Sequence, residues 1–186
     1  MSELVVRPSR PGDEPGLKAL WQLVFQDESP LIDAFFRILY APGMAVAAAE
    51  DGRILSAGYC VPGAMAGPLR CSYIYAVATD PGARGRGLAA QVCRELTRRA
   101  FANGADVVAT LPASESLCGW YERILDMAPA FRRGGSGVTF PPDWHAFAAV
   151  CGAPEDDGAP DFLRAVRADG ADVEPLQALG WALCFD

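Results

Sequence analysis

The chain has 186 residues, of which 51% are hydrophobic and 21% charged, and a formal net charge of −7. This profile suits one ordinary globular domain and excludes general disorder. The acidic balance argues against a phosphate-backbone partner such as nucleic acid, and no apolar run approaches the roughly 20 residues needed to cross a bilayer. The opening MSELVVRPSR lacks the basic lead and apolar core of a signal peptide, so the expected location is cytoplasmic.

In chain order, LVVR at 4–7 predicts a short strand. Leu17, Leu20, Trp21, Val24 and Phe25 recur at helical spacing, and so do Leu31, Phe35, Ile38 and Leu39 after the start signal Ser29-Pro30. MAVAAAE at 44–50, the turn Asp51-Gly52 and RILSAGYCV at 53–61 predict a β-hairpin. Residues 62–68 are expected to form a loop, and LRCSYIYAVAT at 69–79 a central strand with Tyr73, Tyr75 and Val77 on one face. A helix follows from about Gly87 to Asn103, with Leu88, Val92, Leu96 and Ala100 on one side. ADVVATL at 105–111 predicts a buried strand, and Leu117, Trp120, Tyr121, Ile124 and Leu125 the apolar face of another helix. PAFRR at 129–133 is expected as a strand. The order is that of a layered α/β domain.

Beyond Arg133 the character changes. GGSG at 134–137 is expected to be a flexible loop, PPDWHAFAAV at 141–150 a helix, DFLRAV a short helix and GWALCF at 180–185 a return strand. Seven acidic residues and two arginines lie in the stretch from Cys151 through Glu174. Within that stretch Glu155, Asp156 and Asp157 form either a solvated surface excursion or a lid or wall that attracts a cation. The six cysteines show no CxxC spacing and are expected to be small buried thiols; with His145 as the sole histidine, no metal site is expected.

The stretch TDPGARGRGLAAQVCREL, 79–96, places two arginines and three glycines between a strand and a helix. Backbone N–H groups at a helix N-terminus, with glycines that admit close approach, bind anions. The alternative is a tight turn with solvated arginines. The pattern is neither GxxxxGK[ST] nor GxGxxG.

Arg84, Gly87 and Ala89 resemble the [RQ]xxGx[GA] signature of the GNAT superfamily of N-acetyltransferases, and YAVAT-DP is similar to the strand that precedes it there. LPASESLCGWYER at 111–123 is similar to the segment that in this superfamily carries a serine or asparagine and, seven residues later, a tyrosine: here Ser114 and Tyr121. The resemblance covers residues 1–133, leaving 134–186 as a C-terminal extension expected to pack on the same domain. It implies a GNAT-like fold, with a mixed, largely antiparallel sheet flanked by helices. It also implies an acetyltransferase that uses acetyl-CoA, takes a small-molecule or peptide amine as acceptor, and is open to homodimer formation; with the charge, apolar runs and ligand spacing above, no metal, nucleic acid or membrane is expected as a partner. On this basis the N–H groups of Arg84, Gly85, Arg86, Gly87, Leu88 and Ala89 hold the pyrophosphate. Val77 and Thr79 bond through their main chains to the pantetheine arm and acetyl carbonyl, with Val77 N–H as oxyanion donor; Ser114 contacts the cofactor and Tyr121 protonates the leaving thiolate. Each role has a plain rival: Tyr121 as a core residue, Ser114 as a helix N-cap, Tyr73 and Tyr75 as packing. Asp80 and Glu115 stand as candidate bases that are also ordinary turn and helix-start residues. Relatives usually close the tyrosine helix with a glycine and an aromatic, whereas this chain runs ILDMAPAF. Either Asp126 takes the left-handed position or the helix is longer.

Overall fold

The computed structural model describes residues 2–153 and 158–185. Glu155, Asp156 and Asp157, the proposed acceptor wall, lie outside the described residues. The chain divides into two compact units, Met1–Val61 with Ile74–Arg98, and Pro62–Tyr73 with Arg99–Asp186. Both are built from mostly antiparallel strands and helices, so the α/β expectation holds.

The first unit begins with β1 (Leu4–Pro8), α1 (Glu14–Phe25) and α2 (Ser29–Ile38). Asp13 anchors the turn before α1: its carboxylate accepts from Arg7 at 2.6 and 3.0 Å and from the Arg10 N–H at 2.8 Å. β2 (Ala45–Glu50) pairs antiparallel with β1 and with β3 (Arg53–Ala66), whose first half belongs to this unit. Five successive residues of β2 are buried, so both faces of the strand are covered, and its alanines leave room for what covers them. β4 (Leu69–Thr79) enters the unit at Ile74, and α3 (Leu88–Ala102) follows it. The core between the hairpin and the first two helices is aromatic. Trp21 stands 5.0 Å from Phe35 and 5.5 Å from both Tyr59 and Tyr75, ring centre to ring centre. Contacts of this kind add about 0.5–1.5 kcal/mol each beyond the area they bury.

In the second unit β5 (Val107–Thr110) pairs antiparallel with β8 (Phe162–Arg167), and β8 pairs antiparallel with β6 (Ala128–Arg133). β9 (Gly180–Trp181) runs parallel to β6, and β7 (Val138–Thr139) pairs with Met65 and Ala66 of β3. Two helices complete it, α4 (Glu115–Leu125) and α5 (Pro142–Cys151). Trp144, Trp181, Phe131 and Phe147 are fully buried there, and Tyr73 donates its hydroxyl to the Cys184 carbonyl at 3.1 Å.

Four expectations change. DFLRAV is a strand, not a helix: Leu163 and Ala165 are buried while their neighbours are not, a period of two. Residues 62–66 continue β3 rather than forming a loop. Pro62 has no N–H to lose in pairing, and its carbonyl accepts from Trp144 Nε1 at 3.0 Å. GGSG is fixed, since Gly134 N–H donates to Trp181 O at 2.8 Å and Gly180 N–H to Ser136 O at 2.7 Å. GWALCF is strand only at Gly180 and Trp181. The open question at the end of α4 resolves in favour of Asp126, which takes the left-handed conformation at φ 53°. All six cysteines are free thiols, four of them buried.

Candidate functional site

The site is built from the end of β4 and the loop after it. β4 carries a fault in its middle: Ala76 has φ 53°, left-handed backbone inside a strand. Tyr75 packs against Trp21 of α1, and Ala76 and Ala78 border the same small gap as Leu17 and Leu20 of that helix. Val77 points the other way. A Cβ built on Gly58 of β3 would stand 3.1 Å from a Val77 methyl and 3.1 Å from Leu96 of α3, so these three share the α3 side. Two consecutive residues, Tyr75 and Ala76, thus face α1, which is the mark of a bulge. The expectation that Val77 shares a face with Tyr75 fails for this reason. Past the fault, alternation resumes: Thr79 lies on the side of Ser56, their hydroxyls 2.9 Å apart, and Ser56 Oγ donates to the Ala78 carbonyl at 3.0 Å.

Asp80 starts the loop and is committed to it. Its N–H donates to Leu55 O and its carbonyl accepts from Ala83 N–H, both at 2.8 Å. Its Oδ1 accepts from Gly82 N–H at 2.8 Å, and its Oδ2 is held by Arg53. The side chain is thereby the cap of the short turn Pro81–Ala83, and its rival role as a base has to compete with these bonds.

From Arg84 to Gly87 the backbone is exposed, and Gly85 and Gly87 sit at φ 82° and 74°. A Cβ at either glycine would meet nothing within 4 Å. Among the described residues, the N–H groups of Arg84, Gly85, Arg86 and Gly87 find no acceptor within the chain, while Gly87 O already accepts from Gln91 N–H. The first-turn N–H groups of α3, from Leu88 and Ala89, are unpaired by helix geometry. The loop therefore presents a run of donors, backed by a helix dipole, to open space. Arg86 is paired with Glu50 at 3.0 Å. Beside the loop's origin, a groove of about 420 Å³ is lined by Gly12, Gly16, Leu20, Leu23, Arg53 and Asp80.

Val77, Thr79 and the stretch from Arg84 to Ala89 thus come together in the first unit; Ser114 and Tyr121 belong to the second. Ser114 is the N-cap residue of α4, but its side chain makes no capping bond and lies 2.8 Å from Ser116 Oγ instead. Tyr121 is buried with Cys118 and Leu125, its ring edge-on to Trp120 at 4.9 Å. Leu117, expected on the same face, is exposed. Glu115 is exposed at the start of α4. Among the described residues, no three His, Cys, Asp or Glu side chains gather as metal ligands.

A model of the acetyltransferase (GNAT) domain matches residues 5–124. The chain belongs to the GNAT family. No protein with a curated description matches it. Solved GNAT folds do. The GNAT family N-acetyltransferase YhbS of Escherichia coli, solved with CoA, is 20% identical, with 98% of this chain and 89% of that one aligned at a TM-score of 0.64. A Brucella melitensis GNAT acetyltransferase solved with acetyl-CoA is 18% identical, over 76% of this chain and 98% of that one, TM-score 0.58. N-acetylglutamate synthase of Neisseria gonorrhoeae, solved with coenzyme A and N-acetyl-glutamate, is 13% identical, over 89% of this chain but 35% of that one, TM-score 0.56. Of several other neighbours the GNAT domain spans less than half, between 33% and 44% of their length. At these identities the likeness speaks for the fold. Sequence reasoning missed the bulge at Ala76 and the Arg53–Asp80 pair; no glycine marks the first, and the second joins residues far apart in the chain.

Proposed function

We propose that this GNAT domain is an N-acetyltransferase that binds acetyl-CoA on the loop from Arg84 to Ala89 and passes the acetyl group to a primary amine by direct attack. The observation that carries the reading is the run of unpaired N–H groups at Arg84–Gly87, with both glycines at positive φ and open space where their side chains would be. A pyrophosphate supplies the acceptors such a surface lacks. CoA and acetyl-CoA in solved relatives of the same fold support it.

In this reading the loop N–H groups fix the cosubstrate. Val77 N–H stabilises the oxyanion of the tetrahedral intermediate, a contribution of about 3 kcal/mol in comparable sites. Thr79 holds the pantetheine arm through its main chain, Ser114 contacts the cosubstrate, and Tyr121 protonates the departing thiolate. The amine, with a pKa near 10 if it is like lysine, must lose a proton first. No glutamate on β4 is available as a base, and Asp80 is occupied by its capping bonds. A solvent-borne proton path fits this arrangement.

The test is calorimetry with acetyl-CoA together with thiol release against a panel of amines. Gly87→Trp fills the open space beside the loop and strains its backbone, and should abolish measurable binding. Binding unchanged in that variant removes the loop assignment. Tight acetyl-CoA binding with no thiol release for any amine would favour a catalytically idle acyl-CoA-binding module instead.

A further inference from the structure

The β2–β3 hairpin closes on the cross-strand pair Glu50 and Arg53, around a turn in which Asp51 and Gly52 both have positive φ. Each member of the pair reaches the phosphate loop, with opposite sign. Arg53 Nη2 donates to Asp80 Oδ2 at the loop's start. Near its end, Arg86 Nη2 donates to Glu50 Oε1 at 3.0 Å and Arg86 Nη1 to Glu50 Oε2 at 3.4 Å. Four charges therefore alternate around the hairpin tip and the loop.

The two contacts are not equivalent. The Asp80 side chain is 11% exposed and also caps Gly82, so that contact is tied into the fold. Glu50 and Arg86 side chains are 26% and 42% exposed, and among the described residues neither makes any other side-chain hydrogen bond. Their two-pronged contact occupies the Nη1/Nη2 fork of the guanidinium, a donor pair by which arginine also engages phosphate. A carboxylate and a phosphate cannot both occupy it.

From this competition we infer that Glu50 is a resident counter-ion for Arg86, displaced when a phosphate reaches the loop, while the Arg53–Asp80 contact stays closed and holds the loop's origin. Glu50 thereby sets how tightly the loop takes an anion. The inference rests on the loop being a phosphate cradle, as proposed above. It also fixes a sign. If Glu50 merely braced the loop, removing its charge would weaken binding; as a competitor, its removal strengthens binding.

The experiment is calorimetric titration of acetyl-CoA into the wild-type chain and the variants Glu50→Gln, Glu50→Asp, Arg86→Gln and the double variant Glu50→Gln/Arg86→Gln, at low and high salt. Glu50→Gln should bind about threefold to fivefold more tightly at low salt, the range expected from an exposed bidentate pair, with the gain shrinking as salt screens it. Glu50→Asp, which keeps the charge, should stay near wild type. Arg86→Gln should bind more weakly, and adding Glu50→Gln to it should change little, since the competition needs both partners. Unchanged or weaker binding in Glu50→Gln overturns the inference. So does an equal gain with and without Arg86, which would reduce Glu50 to a general repulsive charge. Absence of acetyl-CoA binding in the wild-type chain would overturn the cosubstrate reading and this inference together, whereas wild-type binding with an unaltered Glu50→Gln overturns the counter-ion alone.

Discussion

Asp80 separates two explanations of the same carboxylate, cap or base, by a pair of substitutions. Asp80→Ala deletes the Oδ1 acceptor of Gly82 N–H at 2.8 Å, a capping loss of about 1 kcal/mol. It also deletes the partner of Arg53, whose side chain is 69% exposed, so screening holds that contribution to about 0.5 kcal/mol or less. The loop's ordered form is then less stable by about 1.5 kcal/mol, and acetyl-CoA affinity should fall by up to about tenfold. Asp80→Asn keeps an Oδ1 acceptor in place and loses only the charge, so its affinity should fall by about twofold. Calorimetry gives both dissociation constants, and steady-state thiol release gives KM and kcat for the acceptor reaction. In the capping account the effect is carried by the cosubstrate KM, and kcat stays within about twofold of wild type in Asp80→Asn. A collapse of kcat in Asp80→Asn with acetyl-CoA affinity intact would refute it and make Asp80 the base. Equal affinity losses in the two variants would refute the assignment to the Gly82 bond.

Tyr121→Phe keeps the ring against Trp120 and removes the proposed acid; thiol release should slow at least tenfold with acetyl-CoA affinity intact, and equal loss of both, or of neither, would return Tyr121 to the core. Gly180→Ala would bring a Cβ to 2.3 Å from Gly134 O and 2.4 Å from Ser136 N, both backbone atoms. It should lower the melting temperature by roughly 5–10 °C, about 2–3 kcal/mol for a chain of this size, while Gly12→Ala, whose Cβ meets nothing, should leave it nearly unchanged. Burial pushes the thiols of Cys60, Cys71 and Cys93 up to about 12. An unfolded thiol ionises near its ordinary value of about 8.5. The unfolded chain therefore holds fewer protons than the folded one between those limits, and the thiols' contribution to stability should be constant below about pH 8 and fall steadily as pH rises toward 12. Thermal melts at stepped alkaline pH that show no such decline would contradict the burial of these thiols.

Much of the fold was legible because its signals are local. Ser29-Pro30 opens α2, Asp51-Gly52 turns the hairpin, and the ends of β4 at Leu69 and Thr79 follow from composition alone. Helix faces were less so: Ile32, Ala34 and Phe36 are buried in α2 where the sequence spacing favoured Leu31 and Ile38, because the helix is covered on a wider arc than one stripe. DFLRAV is ambiguous in the sequence because a six-residue apolar-polar mixture fits either period, and what decides it is pairing on both sides. The loop from Arg84 to Gly87 was visible through its glycines. The reversal of Val77 was not, because Ala76 takes a conformation that costs alanine about 1 kcal/mol and that only surrounding packing enforces.

The strand that joins β5 to β6 is made after both of them. Both β5 and β6 leave the ribosome before α5, and β8, which hydrogen-bonds to each of them, only after it. During synthesis the nascent second unit therefore carries two facing rows of unpaired backbone donors and acceptors, a standing template for another chain. A fragment cut back to the family-matched residues 5–124 would lack β6 and β8 altogether and keep the edge of β5 open for good. The late segment is a closure that growing chains must wait for, and expression trials that trim it should yield aggregates rather than a smaller working domain.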